Sequence, residues 1–191
     1  MDRIFELKIE LDRTKPLVWR QMIIPESFTL YELHHLIQIA FGWKNYHLYS
    51  FIANEQIIGN PVLMDDPETI NDRMVDVSQV LKTKGDKICY EYDFGDGWMH
   101  TITLARIIKS DVYGKTPIVV NGAMACPPED CGGIPGYENL KDVMKNPKHP
   151  EYKEFVQWLG KAFDPQLFNL QMVNKEMLKL KKYIKEYETE D

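Results

Sequence analysis

Residues 87–108 read KICYEYDFGDGWMHTITLARII, and the way this stretch pairs with itself decides the fold. Ile88, Tyr90 and Tyr92 alternate with Cys89, Glu91 and Asp93 ahead of Gly95-Asp96-Gly97, and the alternation resumes beyond it. That is the pattern of two strands joined by a glycine-rich turn. A three-residue turn at Gly95-Asp96-Gly97 sets Phe94 opposite Trp98, Tyr92 opposite His100, Tyr90 opposite Ile102 and Ile88 opposite Leu104. It gathers Cys89, Glu91, Asp93, Met99, Thr101 and Thr103 on the other face. A two-residue turn at Asp96-Gly97 would put Phe94 against Met99 and mix the faces, so the three-residue turn is preferred.

Upstream, Phe5, Leu7, Ile9 and Leu11 alternate with Glu6, Lys8 and Glu10, a strand with one wet face. Leu17 to Ile24 is a second apolar run closed by Pro25, and the two read as a hairpin. Thr29 and Glu32 have capping-box spacing, with Phe28 and Leu33 placed as a hydrophobic staple. A helix therefore starts near Leu30. Leu30, Leu33, His34, Ile37, Ala40 and Phe41 form its core stripe and Gly42 its stop. His35, on the opposite side, is expected at the surface. His47 to Ala53 reads as a strand, Pro61 to Asp72 as a polar loop, and Val77 to Lys82 as a short helical piece.

Downstream, Thr116 to Ala125 reads as another strand, and Cys126-Pro-Pro-Glu-Asp-Cys131-Gly-Gly as a rigid loop. Helices are expected at Tyr137 to Lys145, Glu151 to Leu159 and Val173 to Tyr187. In the last, Val173, Met177, Leu180, Ile184 and Tyr187 make an apolar seam that fits packing on the sheet or a dimer contact. The whole predicts one α+β domain over residues 1–191. Its mostly antiparallel sheet is built from hairpins, with one early helix packed on it and helices at the C-terminal end.

The 191 residues carry 44% hydrophobic content, enough for a sizeable core, and a formal net charge of −6. That charge opposes attraction to a phosphate backbone, so a protein or small-molecule ligand suits the chain better than nucleic acid. No stretch reaches the length of a membrane span, no export signal is evident, and three cysteines are too few to staple the domain. A cytoplasmic protein, monomeric or homodimeric and without a membrane partner, is the expectation.

Val18-Trp19-Arg20, the segment from Thr29 to Trp43, Tyr92-Asp93-Phe94-Gly95-Asp96, Cys126 to Gly133 and Phe163-Asp164-Pro165 recur in this order in a known family. On them the chain resembles the plasmid pRiA4b ORF-3-like family, also labelled insertion-element passenger proteins, from about Ile4 to about Leu180. The resemblance implies an α+β domain often encoded alone or near mobile elements, and carries no activity to particular residues. The resolvase name sometimes attached does not fit. A serine recombinase needs a serine within an arginine cluster, and Ser27, Ser50, Ser78 and Ser110 lack one.

Candidate site residues fall in two sets. Cys126 and Cys131 form half of a tetrahedral zinc site, which His100, His34 or His47 could complete, making zinc the cofactor to test. The same loop also reads as a disulfide or as plain scaffold, and the scaffold is the preferred reading. Asp93, Asp96, Glu129 and Asp130, with Trp98 beside them in the motif, could bind a ligand through carboxylate oxygens, although turns favour aspartate in any case. Three functions follow: a non-enzymatic binding or accessory module associated with mobile elements, a metal-dependent hydrolytic enzyme with Asp93 or Glu129 as proton carrier, and a nucleic-acid-binding accessory protein using the C-terminal lysines.

Overall fold

The computed structural model describes residues 2–110 and 116–190. Its strands are β1 (Asp2–Leu11), β2 (Val18–Pro25), β3 (Tyr49–Ala53), β4 (Gln56–Gly59), β5 (Ile70–Asn71), β6 (Lys87–Tyr92), β7 (Trp98–Ser110) and β8 (Ile118–Ala123). They form one sheet in the order β5-β4-β3-β6-β7-β1-β2-β8, antiparallel except for β4 with β5. The helices are α1 (Leu30–Phe41), α2 (Val77–Val80), α3 (Gly133–Met144), α4 (Tyr152–Leu159), α5 (Leu170–Met177) and α6 (Leu180–Glu190). The architecture is the α+β arrangement expected, with a mostly antiparallel sheet and helices at the C-terminal end.

Alternation in β1 sorts its residues as expected. Phe5, Leu7, Ile9 and Leu11 are fully buried, each such side chain contributing about 1.5–3 kcal/mol. On the other face Lys8 pairs with Glu10 and reaches over the Trp19 ring, while Glu6 binds Arg106 and Gln21. The far edge of β8 is blunted by α5. The Asn174 amide accepts from the Val119 N–H at 2.9 Å and donates to the Val119 carbonyl at 2.8 Å, taking the place of a further strand.

The capping box at α1 is complete: Thr29 Oγ1 accepts from the Glu32 N–H, and Glu32 accepts from the Thr29 N–H. Gly42, at φ +84°, ends the helix in the left-handed conformation. All of α1 except Glu32 and Ile39 is buried. His35 is therefore not at the surface. The C-terminal helices cross the outer side of α1, and the Tyr183 and Tyr187 rings close on His35 at 5.7 and 5.2 Å. The expected single helix from Val173 to Tyr187 is also divided. An N–H bond from Lys179 back to the Glu176 carbonyl tightens the chain between α5 and α6, and no glycine or proline marks the place. Met177 and Leu180, on either side of it, are both buried in the core.

The β6–β7 hairpin corrects the predicted register. Tyr92 pairs with Trp98, Tyr90 with His100 and Ile88 with Ile102, so Tyr92 and His100 are not opposite one another. The loop runs from Asp93 to Gly97 rather than from Gly95. Asp93 leaves the strand at φ +55°, its carbonyl receives the Gly97 N–H, and its Oδ1 receives the N–H groups of Gly95 and Asp96. The aspartate caps its own turn. A shift of two residues keeps every side chain on its face, so segregation of faces could not distinguish the two registers.

Candidate functional site

Three segments meet at one end of the sheet: the Lys44–Leu48 stretch after α1, the Asp93–Gly97 turn, and the Cys126–Gly133 loop ahead of α3. Asp96 Oδ2 accepts the Gly132 N–H at 3.1 Å, tying the turn to the loop. Gly132 sits at φ +89° and Gly133 at φ +66°, and a Cβ on Gly133 would lie 2.6 Å from the Asp96 carbonyl oxygen. The paired glycines thus serve close approach as well as backbone angle. The third segment is fixed by the Trp43 indole N–H, which donates to the Pro127 carbonyl at 3.0 Å.

His47, Asp93, Glu129 and Asp130 converge where these segments touch. His47 Nε2 lies 3.1 Å from Asp130 Oδ1, 3.6 Å from Asp93 Oδ2 and 3.9 Å from Glu129 Oε2. The donor atoms of His47, Asp93 and Asp130 all fall within 4.8 Å of one another, the one such set of three or more histidine, cysteine or acidic donors among the described residues.

The carboxylates are held from behind. Asp93 uses Oδ1 in its turn, leaving Oδ2 toward His47. Glu129 Oε1 accepts from the Lys44 N–H at 2.7 Å and from the Tyr92 hydroxyl at 3.0 Å, leaving buried Oε2 without a partner. Asp130 is aimed by a left-handed backbone, φ +56°, and its side chain is 66% exposed, so one side of the cluster faces solvent. His47 Nε2 is itself buried and makes no hydrogen bond. Buried polar atoms normally find partners, and here two unpartnered ones share a small space with carboxylate oxygens.

Such spacing fits a cation. Donors about 2.1 Å from one ion stand about 3.0 Å apart at right angles and about 3.4 Å apart at the tetrahedral angle. One imidazole with two carboxylates is a mixed nitrogen and oxygen donor set of the kind that first-row divalent cations accept.

The remaining sequence candidates lie elsewhere. Cys126 and Cys131 are free thiols packed against the core, and no two further donors join either of them among the described residues. Burial pushes both thiols up, Cys131 to about 12 and Cys126 well above the ordinary thiol value, so both are protonated. His34 is closed inside a hydrogen-bonded network with Tyr90 and Asn45. His100 is buried between the Phe41, Trp43 and Tyr90 rings, with Nδ1 3.3 Å from the Tyr90 carbonyl, and burial lowers its pKa to about 3. Trp98 is a core residue, and Asp96 serves as the tie to Gly132. Sequence reasoning did not single out Tyr92 as the hydroxyl that orients Glu129, nor Lys44 as its backbone donor. Neither role depends on a pattern visible along the chain.

Among the described residues no helix is long and apolar enough to cross a membrane. Comparison with known proteins places these segments in a recurring frame. The chain is 33% identical over 174 residues, 90% of its length and 89% of the relative's, to the uncharacterised protein y4hQ of Sinorhizobium fredii (strain NBRC 101917 / NGR234). The crystal structure of a protein of unknown function, MM3350 of Methanosarcina mazei Go1, superposes with a TM-score of 0.80 at 32% identity, covering 90% of this chain and 97% of that one. The model of the plasmid pRiA4b ORF-3-like proteins matches residues 3–172, and the chain belongs to that family.

Proposed function

We propose that this protein binds one divalent cation, for which Mn²⁺ is the probe, through His47, Asp93 and Asp130, with Glu129 beside it as the proton acceptor of a metal-assisted hydrolysis. The observation that carries this reading is the division of labour within the carboxylates: Asp93 and Glu129 each have one oxygen fixed by protein donors, while the other turns toward an unpartnered His47 Nε2. Outer donors of this kind orient the groups that touch a metal. Three protein ligands on a solvent-facing side leave positions for water, as catalytic sites do and closed structural sites do not. A cation held there would supply an acidified water, and Glu129 Oε2, without a hydrogen-bond partner beside it, would be the oxygen that takes the proton. Zinc on the thiols is set aside in favour of this arrangement.

A non-enzymatic binding module would use the same cluster without turnover, and an accessory role near mobile elements rests on the family resemblance alone. Nucleic-acid binding has less support, because Lys179 and Lys182 are matched by Glu176 and Glu186 on their own face. Thermal unfolding tests the metal reading. Millimolar Mn²⁺ raises the midpoint of the wild-type protein, since a ligand at about 100 times its Kd contributes about 2.7 kcal/mol. Asp130→Asn loses most of that shift. A wild-type midpoint indifferent to Mn²⁺ would end the proposal.

A further inference from the structure

Beside the acidic cluster an open cleft of about 350 Å³ runs between the end of α1 and helices α5 and α6. That is a size typical of small-molecule sites. Ile39 and Trp43 line its α1 side, and Lys179, Lys182, Tyr183 and Glu186 line the other. The cleft and the cluster share a wall. Trp43 is pinned through its indole to Pro127, and the next residue, Lys44, gives its N–H to Glu129 Oε1. The Tyr183 hydroxyl is buried and has no hydrogen-bond partner. Burial together with the nearby Glu129 charge raises its pKa to about 12, so it is a neutral donor standing in the field of the proton acceptor.

We propose that this cleft binds the molecule that the metal acts on, and that the molecule is a small monocarboxylate with an apolar body, of the N-acyl amino acid or short-peptide class. The identification of a reacting substrate rests on the metal reading; the binding itself does not.

Charge decides the class. Asp93, Glu129 and Asp130 carry three negative charges against the two of one cation, and Glu176 and Glu186 add more around the cleft, so a polyanion is repelled. Lys179 and Lys182 supply the positive charge. Lys179, in the turn between α5 and α6, is held by Glu176 at 2.8 Å and Lys182 by Glu186 at 3.4 Å, with side chains at least half exposed. Surface pairs of that kind are worth about 0–1 kcal/mol, so a ligand carboxylate can displace them. Ile39 and the 4% exposed rim of Trp43 meet the apolar body of the ligand, and the unpartnered Tyr183 hydroxyl is the donor to its carbonyl oxygen.

The test uses N-acetyl-phenylalanine, N-acetyl-phenylalanine amide and inorganic phosphate, titrated by calorimetry into the metal-free full-length protein and again with Mn²⁺. The acid binds in both states, the amide at least about tenfold more weakly, and phosphate not measurably, a tenfold change being about 1.4 kcal/mol. Tyr183→Phe, which keeps the ring that packs on His35, weakens the acid about fivefold through loss of one hydrogen bond. Lys182→Glu, an exposed substitution, weakens it at least as much, with the circular dichroism of both variants unchanged. Absence of acid binding at millimolar concentration, equal binding of acid and amide, binding of phosphate, or indifference to Tyr183→Phe would each overturn the proposal. Mn²⁺ affinity, measured separately, judges the metal centre. Acid binding to a protein that takes no Mn²⁺ would keep the cleft and discard the metal-dependent reaction.

Discussion

His34 and His47 lie on either side of the same tyrosine-rich floor in opposite circumstances. Around His34 the polar groups close into a ring. Gln38 Nε2 donates to the Tyr90 hydroxyl at 3.1 Å, His34 Nδ1 lies 2.8 Å from that hydroxyl, His34 Nε2 lies 2.7 Å from Asn45 Oδ1, and the Asn45 N–H returns to Gln38 Oε1 at 3.0 Å. The imidazole also stacks on Tyr49 at 3.4 Å, and burial lowers its pKa well below the histidine range. Around His47 no ring forms; Nε2 and Glu129 Oε2 are left over. Both nitrogens of the His34 imidazole are engaged and only Asn45 Nδ2 is left over there, whereas around His47 the unbonded atoms are an imidazole nitrogen and a carboxylate oxygen that face one another. The two clusters use the same residue types, so composition could not tell them apart.

The comparison breaks most violently at Gly136. A Cβ there would stand 1.7 Å from the Cys131 carbonyl oxygen, a backbone atom that cannot step aside without moving the loop that carries Glu129 and Asp130. Gly136→Ala is expected to cost about 4 kcal/mol or more and to remove Mn²⁺ binding with it. Chemical denaturation and calorimetry on the same preparation check both, and a stable variant with intact Mn²⁺ affinity would mean that the loop's position does not matter to the cluster.

His34→Leu separates the clusters in the other direction. It strands Asn45 Oδ1 and takes one partner from the Tyr90 hydroxyl in the core, and is expected to cost about 3 kcal/mol, while the affinity for Mn²⁺ stays within about twofold because His47 is untouched. A collapse of metal affinity at unchanged stability would invert the assignment of the two histidines.

The smallest effect is on pH dependence. Burial lowers His35 from the ordinary value of 6.5 to about 4, and His34 and His100 are depressed in the same way. A histidine whose folded pKa is depressed is neutral in the fold, so its contribution is full above 6.5 and fades as pH falls, because the unfolded chain takes up protons that the fold refuses. Stability should therefore decline from pH 6.5 downward, through about 4 for His35 and on to about 3 for His100, His35 alone accounting for about 3 kcal/mol at most. His35→Phe, retaining the ring contacts to Tyr183 and Tyr187, should flatten that decline by its share when urea midpoints are followed against pH. An unchanged slope would place the acid sensitivity elsewhere.

Local signals were legible in the sequence; meetings between distant segments were not. The capping box from Thr29 to Glu32 and the stop at Gly42 concern neighbours along the chain, and both are present in the structure as read. The alternation of β6 and β7 gave the correct faces but missed the register by two, because nothing in the pattern reveals that Asp93 turns left-handed and caps its own loop. His35 was placed outside because helical periodicity cannot anticipate the cover that α6 supplies. Of the candidate site residues, the sequence groups His47 with the cysteines by residue type and sets Asp93, Glu129 and Asp130 apart from it. Their convergence depends on Asp96 holding Gly132 and Trp43 holding Pro127, contacts that join segments far apart in sequence.

The most direct test of the account is a calorimetric titration of Mn²⁺ into chelator-treated wild type, His47→Ala, and a variant with Cys126→Ser and Cys131→Ser together. The account predicts one Mn²⁺ per chain for the wild type, an affinity at least about tenfold lower for His47→Ala, and binding close to wild type for the double serine variant even if its stability falls. Wild-type affinity retained by His47→Ala, or metal binding lost on replacing the cysteines alone, would contradict it.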